Sequence, residues 1–179
     1  KKKIFVSETK KADFPGYETI LPGDWLSWSD RMKAALDTID SEYVFFILED
    51  YFFVEEISQE EIQLHIDLMN EYDENKFKYK NRDVYKINNQ SQYQTSTQPS
   101  IWKTSFLKEC MQKNWSPWDF EIKGTDTIRG KDNKIYIIMR DKKPYFTPCA
   151  QGKLITEWQG YDWYKIKDTE NLETMELNG

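Results

Sequence analysis

Two adjacent acids, Glu49 and Asp50, come directly after the apolar run of residues 43–48. Carboxylates at the end of a buried strand are costly unless they face solvent, a cation or a hydrogen-bond donor. A hard cation such as Mg²⁺ or Mn²⁺ takes oxygen ligands, and one or two protein carboxylates are enough where a substrate diphosphate supplies the others. The pair therefore indicates a site for a cation and a diphosphate. The alternative is a solvated pair of loop acids that caps residues 51–54.

A second pair of acids lies in the segment 118–121. Ser116 and Pro117 predict that a helix begins there, and Asp119 then completes a capping box and favours the helix N-terminus electrostatically. Glu121 has no capping duty. A carboxylate that reaches into a cleft can accept a proton from a hydroxyl group, so Glu121 is a candidate general base.

A polar run of Asn, Gln, Ser and Thr precedes Trp102 in the segment 88–100 and includes Gln98. Amide groups suit hydrogen bonding to a sugar, and an indole face suits stacking against it. The run therefore predicts a sugar-binding loop, with an ordinary surface loop as the alternative.

Arg31 follows Trp28 early in a predicted helix. The planar guanidinium of arginine matches the geometry of phosphate oxygens, which makes Arg31 a candidate for binding a phosphate. The alternative is an ion pair within the helix, with Asp30 or Asp37.

Several other chemistries find no support in the sequence. His65 is the only histidine and lies in a predicted helix, which argues against Ser-His and Cys-His nucleophilic systems. Cys110 and Cys149 have no metal-ligand spacing and are expected to be reduced thiols. The chain also has no Gly-rich phosphate-binding loop.

Composition narrows the class of protein. The chain has 179 residues, enough for one domain, and its aromatic fraction of 16% is incompatible with a disordered segment. The net charge of −6 argues against a nucleic-acid partner. No apolar run approaches the ~18 residues of a membrane span, so we expect a cytoplasmic protein. The lysines at positions 1–3 allow a peripheral contact with the inner face of the plasma membrane.

The order of predicted elements is typical of an α/β fold. Strands are predicted at residues 4–7, 43–48, 83–87, 134–139, 145–147 and 161–166, and helices at 28–39, 58–72, 104–112 and from 116 to a stop at Gly124. Residues 8–26 are expected to form a loop. The uninterrupted apolar run 43–48 predicts a strand buried on both faces, as in a parallel sheet, whose carboxyl end is the usual place for a ligand.

Four motifs occur in an order and at a spacing that resemble a bacterial family of GT-A-like glycosyltransferases associated with capsule and lipopolysaccharide biosynthesis. The resemblance extends from about residue 3 to residue 165. The motifs are Trp28-Ser29-Asp30-Arg31, Glu42-Tyr43-Val44 with Leu48-Glu49-Asp50-Tyr51-Phe52, Gln98-Pro99-Ser100-Ile101-Trp102-Lys103 and Ser116-Pro117-Trp118-Asp119-Phe120-Glu121.

The resemblance implies a single Rossmann-like domain over residues 1–179, with a mixed sheet flanked by helices and a C-terminal tail at 168–179. It implies transfer of a sugar, with inversion, from a nucleotide-diphospho-sugar donor to a glycan or lipid-linked acceptor at the cell surface. On the donor side it assigns Glu49, Asp50, Arg31 and Trp28, with Asp50 as the ligand of Mn²⁺ or Mg²⁺.

On the acceptor side, the resemblance assigns Glu121, and then Asp119, to the position of the general base. Gln98, Trp102 and Trp118 would line the pocket for the acceptor or the sugar. All of these roles are implied by the family and do not follow from spacing alone.

The chain departs from the family pattern in two ways. The acidic motif is Glu-Asp-Tyr rather than Asp-x-Asp, and the first strand of a GT-A fold, which binds the nucleotide base, would precede Lys1. An inactive glycan-binding or assembly module on the same fold is therefore the main alternative. A glycoside hydrolase with paired carboxylates is a third.

Overall fold

A computed structural model of the chain describes residues 2–71, 76–79, 82–138, 145–147, 149–150, 153–154, 157–158 and 161–162. It is a mixed α/β structure with small sheets and short helices, which confirms the predicted α/β class. The chain divides into two compact units. The first comprises Lys1–Ile47 and Ser58–Met139, and the second comprises Leu48–Ile57 and Arg140–Gly179. The single domain expected over residues 1–179 stays a prediction.

The first unit begins with two parallel strands, β1 (Lys3–Val6) and β2 (Tyr17–Ile20). β1 was expected, but β2 lies in the segment that the sequence predicted to be a loop. Only Thr19 and Ile20 of β2 are half-buried, so the strand carries little of the apolar pattern by which a strand is recognised. Its backbone pairing with β1 compensates, with Lys3 opposite Tyr17 and Val6 opposite Ile20.

Strand β3 (Tyr43–Phe46) pairs with a later strand, Ser100–Lys103, and the pairing is antiparallel. The predicted parallel strand buried on both faces is therefore wrong. Phe46 is 5% exposed, whereas Phe45 is 39% exposed, so only one face of the strand is covered. The exposed face of β3 also carries apolar residues, so the sequence shows an uninterrupted apolar run, which is the pattern expected of a strand buried on both faces.

The remaining strands of the first unit form an antiparallel three-stranded sheet and the partner of β3. They follow β4 (Phe52–Phe53), which lies in the second unit, and are β5 (Lys76–Tyr79), β6 (Arg82–Lys86), β7 (Ser100–Lys103) and β8 (Tyr136–Ile138), with β6 between β5 and β8. β6 lies one residue before its predicted bounds, and β8 begins two residues after its predicted start. β5 and β7 were not predicted.

Helices α1 (Trp28–Leu36), α2 (Gln59–Glu71) and α3 (Thr104–Cys110) follow the predicted pattern, and α1 and α3 end earlier than predicted. Ser27 caps α1 through a hydrogen bond from the Asp30 backbone N–H, and Ser58 caps α2 through one from Glu61. These short polar side chains fix where the helices begin. None of the helices in the described part of the chain is long and apolar enough to cross a membrane.

The last helical segment does not stop at Gly124, so the predicted stop is wrong. It runs through α4 (Pro117–Asp119), a π-helical turn at Phe120–Gly124 and α5 (Thr125–Ile128). A Cβ at Gly124 would lie 3.0 Å from Thr95 Oγ1, so a larger residue there would require the Thr95 hydroxyl to shift. Gly130, with φ of 78°, has the left-handed conformation common after a helix end.

The second unit contains β4 (Phe52–Phe53), which pairs antiparallel with β9 (Tyr145–Phe146). Tyr51 and Phe53 both contact the Tyr145 ring in edge-to-face geometry. Two further strand pairs join β10 (Cys149–Ala150) to β11 (Lys153–Leu154) and β12 (Glu157–Trp158) to β13 (Tyr161–Asp162). The predicted strand 161–166 is seen at its first two residues, and positions 163–166 and the tail 168–179 lie outside the described residues.

The core of the first unit joins side chains from nearly all of its elements. Its most buried apolar members are Ala35, Leu36, Phe46, Leu68, Val84, Trp102, Leu107, Cys110, Met111, Phe120 and Ile128. Because these residues come from α1, α2, α3, the strands and the 117–128 segment, loss of one large member removes packing from several elements at once.

Leu107→Ala should reduce the free energy of unfolding by about 2–5 kcal/mol, because Leu107 is 0% exposed and its truncation leaves a cavity. Urea denaturation followed by tryptophan fluorescence measures the change. Ser105→Ala, on the exposed side of the same helix, is the matched control and should change stability by no more than about 0.5 kcal/mol. Equal effects of the two substitutions would contradict the observed packing of α3.

Candidate functional site

Three of the four motifs meet at Phe120, which has no exposed surface. The Trp28 ring centroid lies 5.7 Å from that of Phe120, and the Trp102 ring centroid lies 6.0 Å from that of Phe120. Phe46 and Phe106 extend this aromatic cluster through contacts with Trp28 and Trp102. The cluster fixes α1, β3, β7 and the π turn relative to one another, and each ring pair adds about 0.5–1.5 kcal/mol beyond the burial of its area.

Polar contacts at the start of α1 hold the segment that leads into α4. Buried Ser29 accepts a hydrogen bond from the Trp115 backbone N–H and donates its own backbone N–H to the Trp115 carbonyl. Asp30 accepts from Ser27 Oγ at 2.6 Å and from the Asn114 backbone N–H at 3.1 Å. The bond from Ser27, then the one from Asn114, lowers the pKa of Asp30. The first motif therefore positions the helix that carries Asp119 and Glu121.

Arg31 has protein partners for its guanidinium. Its Nη1 donates to the Leu26 carbonyl at 2.6 Å and lies 3.1 Å from Glu8 Oε1. The expected ion pair within the helix, with Asp30 or Asp37, is wrong, because the side chain extends toward Glu8 in the segment after β1. A phosphate at Arg31 would have to compete with the Glu8 carboxylate, which is 57% exposed.

Asp119 caps the helix as predicted. It accepts from the Ser116 backbone N–H and hydroxyl, and its own backbone N–H donates to Ser116 Oγ. The hydrogen bond from Lys123, at 2.7 Å, and then those from Ser116 lower the pKa of Asp119 to about 2. A carboxylate with so low a pKa is a weak proton acceptor near neutral pH. The geometry favours the capping role for Asp119 over that of a general base.

Glu121 binds the loop that follows Tyr93. Its Oε1 accepts hydrogen bonds from the Thr97 backbone N–H at 2.7 Å, from Thr97 Oγ1 at 2.8 Å and from Ser96 Oγ at 3.4 Å. Within the described residues, all of these bonds go to Oε1 and none to Oε2. The loop thus holds one oxygen of the carboxylate.

Two buried threonines position this carboxylate. Thr125 Oγ1 accepts the backbone N–H groups of Gln94 and Thr95 and donates to the Glu121 carbonyl at 2.7 Å. Thr95 Oγ1 lies 2.8 Å from the Phe120 carbonyl and 3.0 Å from Thr125 Oγ1. The two hydroxyls thus connect the carbonyls of the π turn to the backbone of residues 94 and 95.

The three predicted sugar-binding residues have different environments. Trp102 is 8% exposed, stacks on Phe106 and donates its Nε1–H to Ser100, so its ring faces lie in the core and not in an open pocket. Gln98 is exposed at the tip of the loop. Trp118 is 74% exposed, and its indole is accessible to a ligand.

Glu49 and Asp50 belong to the second unit, and both residues are exposed to solvent. Loss of hydration at the carboxyl, and then the charge of Glu49, raises the pKa of Asp50. Carboxylate oxygens are the kind of ligand that a hard cation takes. The described residues hold no group of three or more His, Cys, Asp or Glu side chains arranged for a metal ion.

The first unit thus contains Trp28, Arg31, Gln98, Trp102, Trp118, Asp119 and Glu121, whereas Glu49 and Asp50 lie in the second. The sequence did not single out Thr95, Thr97 or Thr125. The run of hydroxyl residues at 95–97 was visible, but nothing in it indicated a bond to Glu121, 24 residues away from Thr97. In comparisons with known proteins, no family model, curated protein or solved structure matches this chain.

Thr125→Val should reduce the free energy of unfolding by about 2–4 kcal/mol, since it leaves the buried N–H groups of Gln94 and Thr95 without acceptors. Chemical denaturation gives the value. Thr127→Val is the matched control on α5: the Thr127 hydroxyl donates only to the Gly124 carbonyl and its side chain is exposed, so a change below about 1 kcal/mol is expected. If Thr125→Val is as mild as the control, the hydroxyl does not hold the 94–97 loop.

Proposed function

We propose that this chain is a GT-A-like glycosyltransferase that moves a sugar from a nucleotide-diphospho-sugar donor to a glycan or lipid-linked acceptor. The observation that carries the proposal is the convergence of three motifs of the resemblance on Phe120. Their meeting aligns Glu121 beneath a loop of hydroxyl and amide side chains. Such a loop offers donors and acceptors of the kind that a sugar hydroxyl requires.

Glu121 is assigned the role of general base. Hydrogen bonds from Thr97 and Ser96 hold Oε1, so the carboxylate cannot rotate freely, and Oε2 is the atom that takes the proton of the acceptor hydroxyl. Removal of the proton as the oxygen attacks the anomeric carbon gives inversion in a single displacement. Asp119, with its pKa near 2 and its bonds to Ser116 and Lys123, stays a structural cap in this scheme.

The donor diphosphate is assigned to Asp50 and Glu49, which would hold Mn²⁺ or Mg²⁺. When bound, the cation supplies positive charge that offsets the charge developing on the leaving diphosphate. The raised pKa of Asp50 agrees with this role, because an ionised pair without a cation is disfavoured there. Tyr51, which follows Asp50, donates its backbone N–H to the Leu48 carbonyl and so closes the turn that carries both acids.

Asp50→Asn should abolish Mn²⁺-dependent binding of a nucleoside diphosphate. We expect UDP, GDP or CDP with Mn²⁺ to raise the melting temperature of the unsubstituted protein by about 5–10 °C at roughly 100 times Kd, and the variant to lose this shift. Because the fold raises the pKa of Asp50, its ionised form costs stability at pH 7. Removing the charge should therefore leave the ligand-free melting temperature unchanged or higher.

Glu56→Gln removes an exposed acid from the same unit and is the matched control for the thermal-shift experiment. It should keep the full nucleotide-dependent shift. An unchanged shift in Asp50→Asn, or no shift with any of the three nucleotides in the unsubstituted protein, would contradict the donor-site assignment.

Glu121→Gln should lower kcat by about 10²–10⁴-fold and leave donor binding intact, because the amide cannot take the proton. The amide oxygen still accepts the bonds from Thr97, so the loop keeps its place. Release of nucleoside diphosphate from the cognate sugar nucleotide measures the rate. Glu109→Gln, an exposed acid on α3, is the control and should retain the full rate. A variant of Glu121 with undiminished kcat would exclude it as the base.

A catalytically inactive glycan-binding module is the second candidate, and the exposed indole of Trp118 favours it. Such a module would bind sugar and ignore nucleotide. The thermal-shift experiment separates the two, because only the transferase gains stability from a nucleoside diphosphate with Mn²⁺.

A further inference from the structure

An open polar depression of about 350 Å³ lies in the first unit, and none of the residues assigned above lines it. It forms where the chain leaving β6 meets the chain leaving α5. Its lining consists of Lys86, Ile87, Asn88, Asn89, Asp132 and Asn133. A volume of this size is within the range of small-molecule sites.

The two segments around the depression are held by backbone hydrogen bonds. Ile87 N–H donates to the Ile135 carbonyl at 2.7 Å, and Gly130 N–H donates to the Asn89 carbonyl at 2.8 Å. Buried Gln94 adds a side-chain bond to the Asn89 carbonyl, and Asn133 Nδ2 donates to the Ile128 carbonyl. The backbone around the depression is therefore held in place before a ligand arrives, which lowers the entropic cost of binding.

The charges of the lining select the class of ligand. Lys86 Nζ lies 3.3 Å from Asp132 Oδ1, so the one cation and the one anion offset each other. An anion would meet the Asp132 carboxylate, and a cation would meet the Lys86 ammonium group. Asn88 Oδ1 accepts from the Gln90 backbone N–H and Asn133 Nδ2 donates to the Ile128 carbonyl, so these two side chains offer mainly the Asn88 amide as a donor and the Asn133 oxygen as an acceptor, while Asn89 offers both. A neutral ligand that carries adjacent groups able to donate and accept hydrogen bonds suits this arrangement.

We propose that the depression binds a neutral sugar residue of a glycan. Adjacent ring hydroxyls each donate and accept, which matches the amides of Asn88 and Asn89 and the carboxylate of Asp132, and Ile87 offers an apolar contact for ring C–H groups. That this sugar belongs to the acceptor rests on the proposed function, since an acceptor polymer extends beyond its reacting residue.

A buried residue connects this site with the loop bound by Glu121. Gln94 contacts the Asn89 carbonyl through its side chain and Thr125 Oγ1 through its backbone N–H, and Thr125 donates to the Glu121 carbonyl. The backbone that lines the depression and the loop bound by Glu121 are thus connected by a continuous chain of hydrogen bonds.

A ¹H–¹⁵N NMR titration of the full chain, without nucleotide or metal, tests the proposal. The probes are methyl β-glucopyranoside, methyl β-galactopyranoside and N-acetylglucosamine. At least one should cause saturable shifts at Asn88, Asn89 and Asn133, with a Kd on the order of 1 mM, as expected for about a dozen non-hydrogen atoms.

Asn89→Ala and Asp132→Ala should each weaken binding by about 3–10-fold, the loss expected for one or two hydrogen bonds. Asp132 is 86% exposed, so its substitution leaves the core intact. Asp37→Ala is the matched control, because it removes an exposed acid that also pairs with a lysine, Lys108, and it should bind as tightly as the unsubstituted chain.

Absence of saturable shifts with all three sugars, or equal affinity in the double variant Asn89→Ala/Asp132→Ala, would overturn the proposal. Tighter binding of inorganic phosphate or Mn²⁺ at these residues would overturn it as well. If sugar binds and no nucleotide does, the proposed sugar site is supported and the transferase assignment is wrong. If nucleotide binds and no sugar does, only the proposed sugar site is wrong.

Discussion

The burial of Phe120 between the indole rings of Trp28 and Trp102 determines where most candidate residues of the first unit lie. Because the ring is fully enclosed, the backbone that carries it cannot shift without opening the core. α1, β7 and the π turn are therefore fixed together. Glu121 follows Phe120 in the chain, so the same packing also fixes its backbone. Its carboxylate lies within hydrogen-bonding distance of Thr97.

The carboxylates of this chain illustrate how one residue type takes different roles through its neighbours. Hydrogen bonds from Ser27 and Asn114 keep Asp30 ionised, and Lys123 with Ser116 does the same for Asp119. Asp50 has lost part of its hydration and faces the charge of Glu49, which moves its pKa in the opposite direction. Asp30 and Asp119 have donors that stabilise their charge and are structural anchors, whereas the charge of Glu49 beside Asp50 makes Asp50 the better candidate for a cation.

Because β3 pairs with β7 in the antiparallel direction, the position of Glu49 and Asp50 after β3 is not the carboxyl end of a parallel strand. The rule that ligands bind at the carboxyl ends of strands applies to open parallel sheets, and it gives no support to this pair. The donor-site assignment now depends on the resemblance and on the electrostatics of Asp50, both of which are independent of the sheet. Trp102 lies on β7, which pairs with β3, and its side chain is buried in the core.

The sequence by itself determined part of the local structure of this protein: the α/β class, the cap at Ser116, and the approximate positions of α1, α2, α3, β1, β3, β6 and β8. These features depend on hydrogen bonds and side-chain periods within a few positions of the chain. The sequence did not predict β2, β5 or β7. Only the tertiary structure decided the direction of β3 pairing, the exposure of Phe45, the continuation through Gly124 and the bond from Thr97 to Glu121. Each of these joins residues far apart in the chain, and burial of a side chain depends on which distant element covers it.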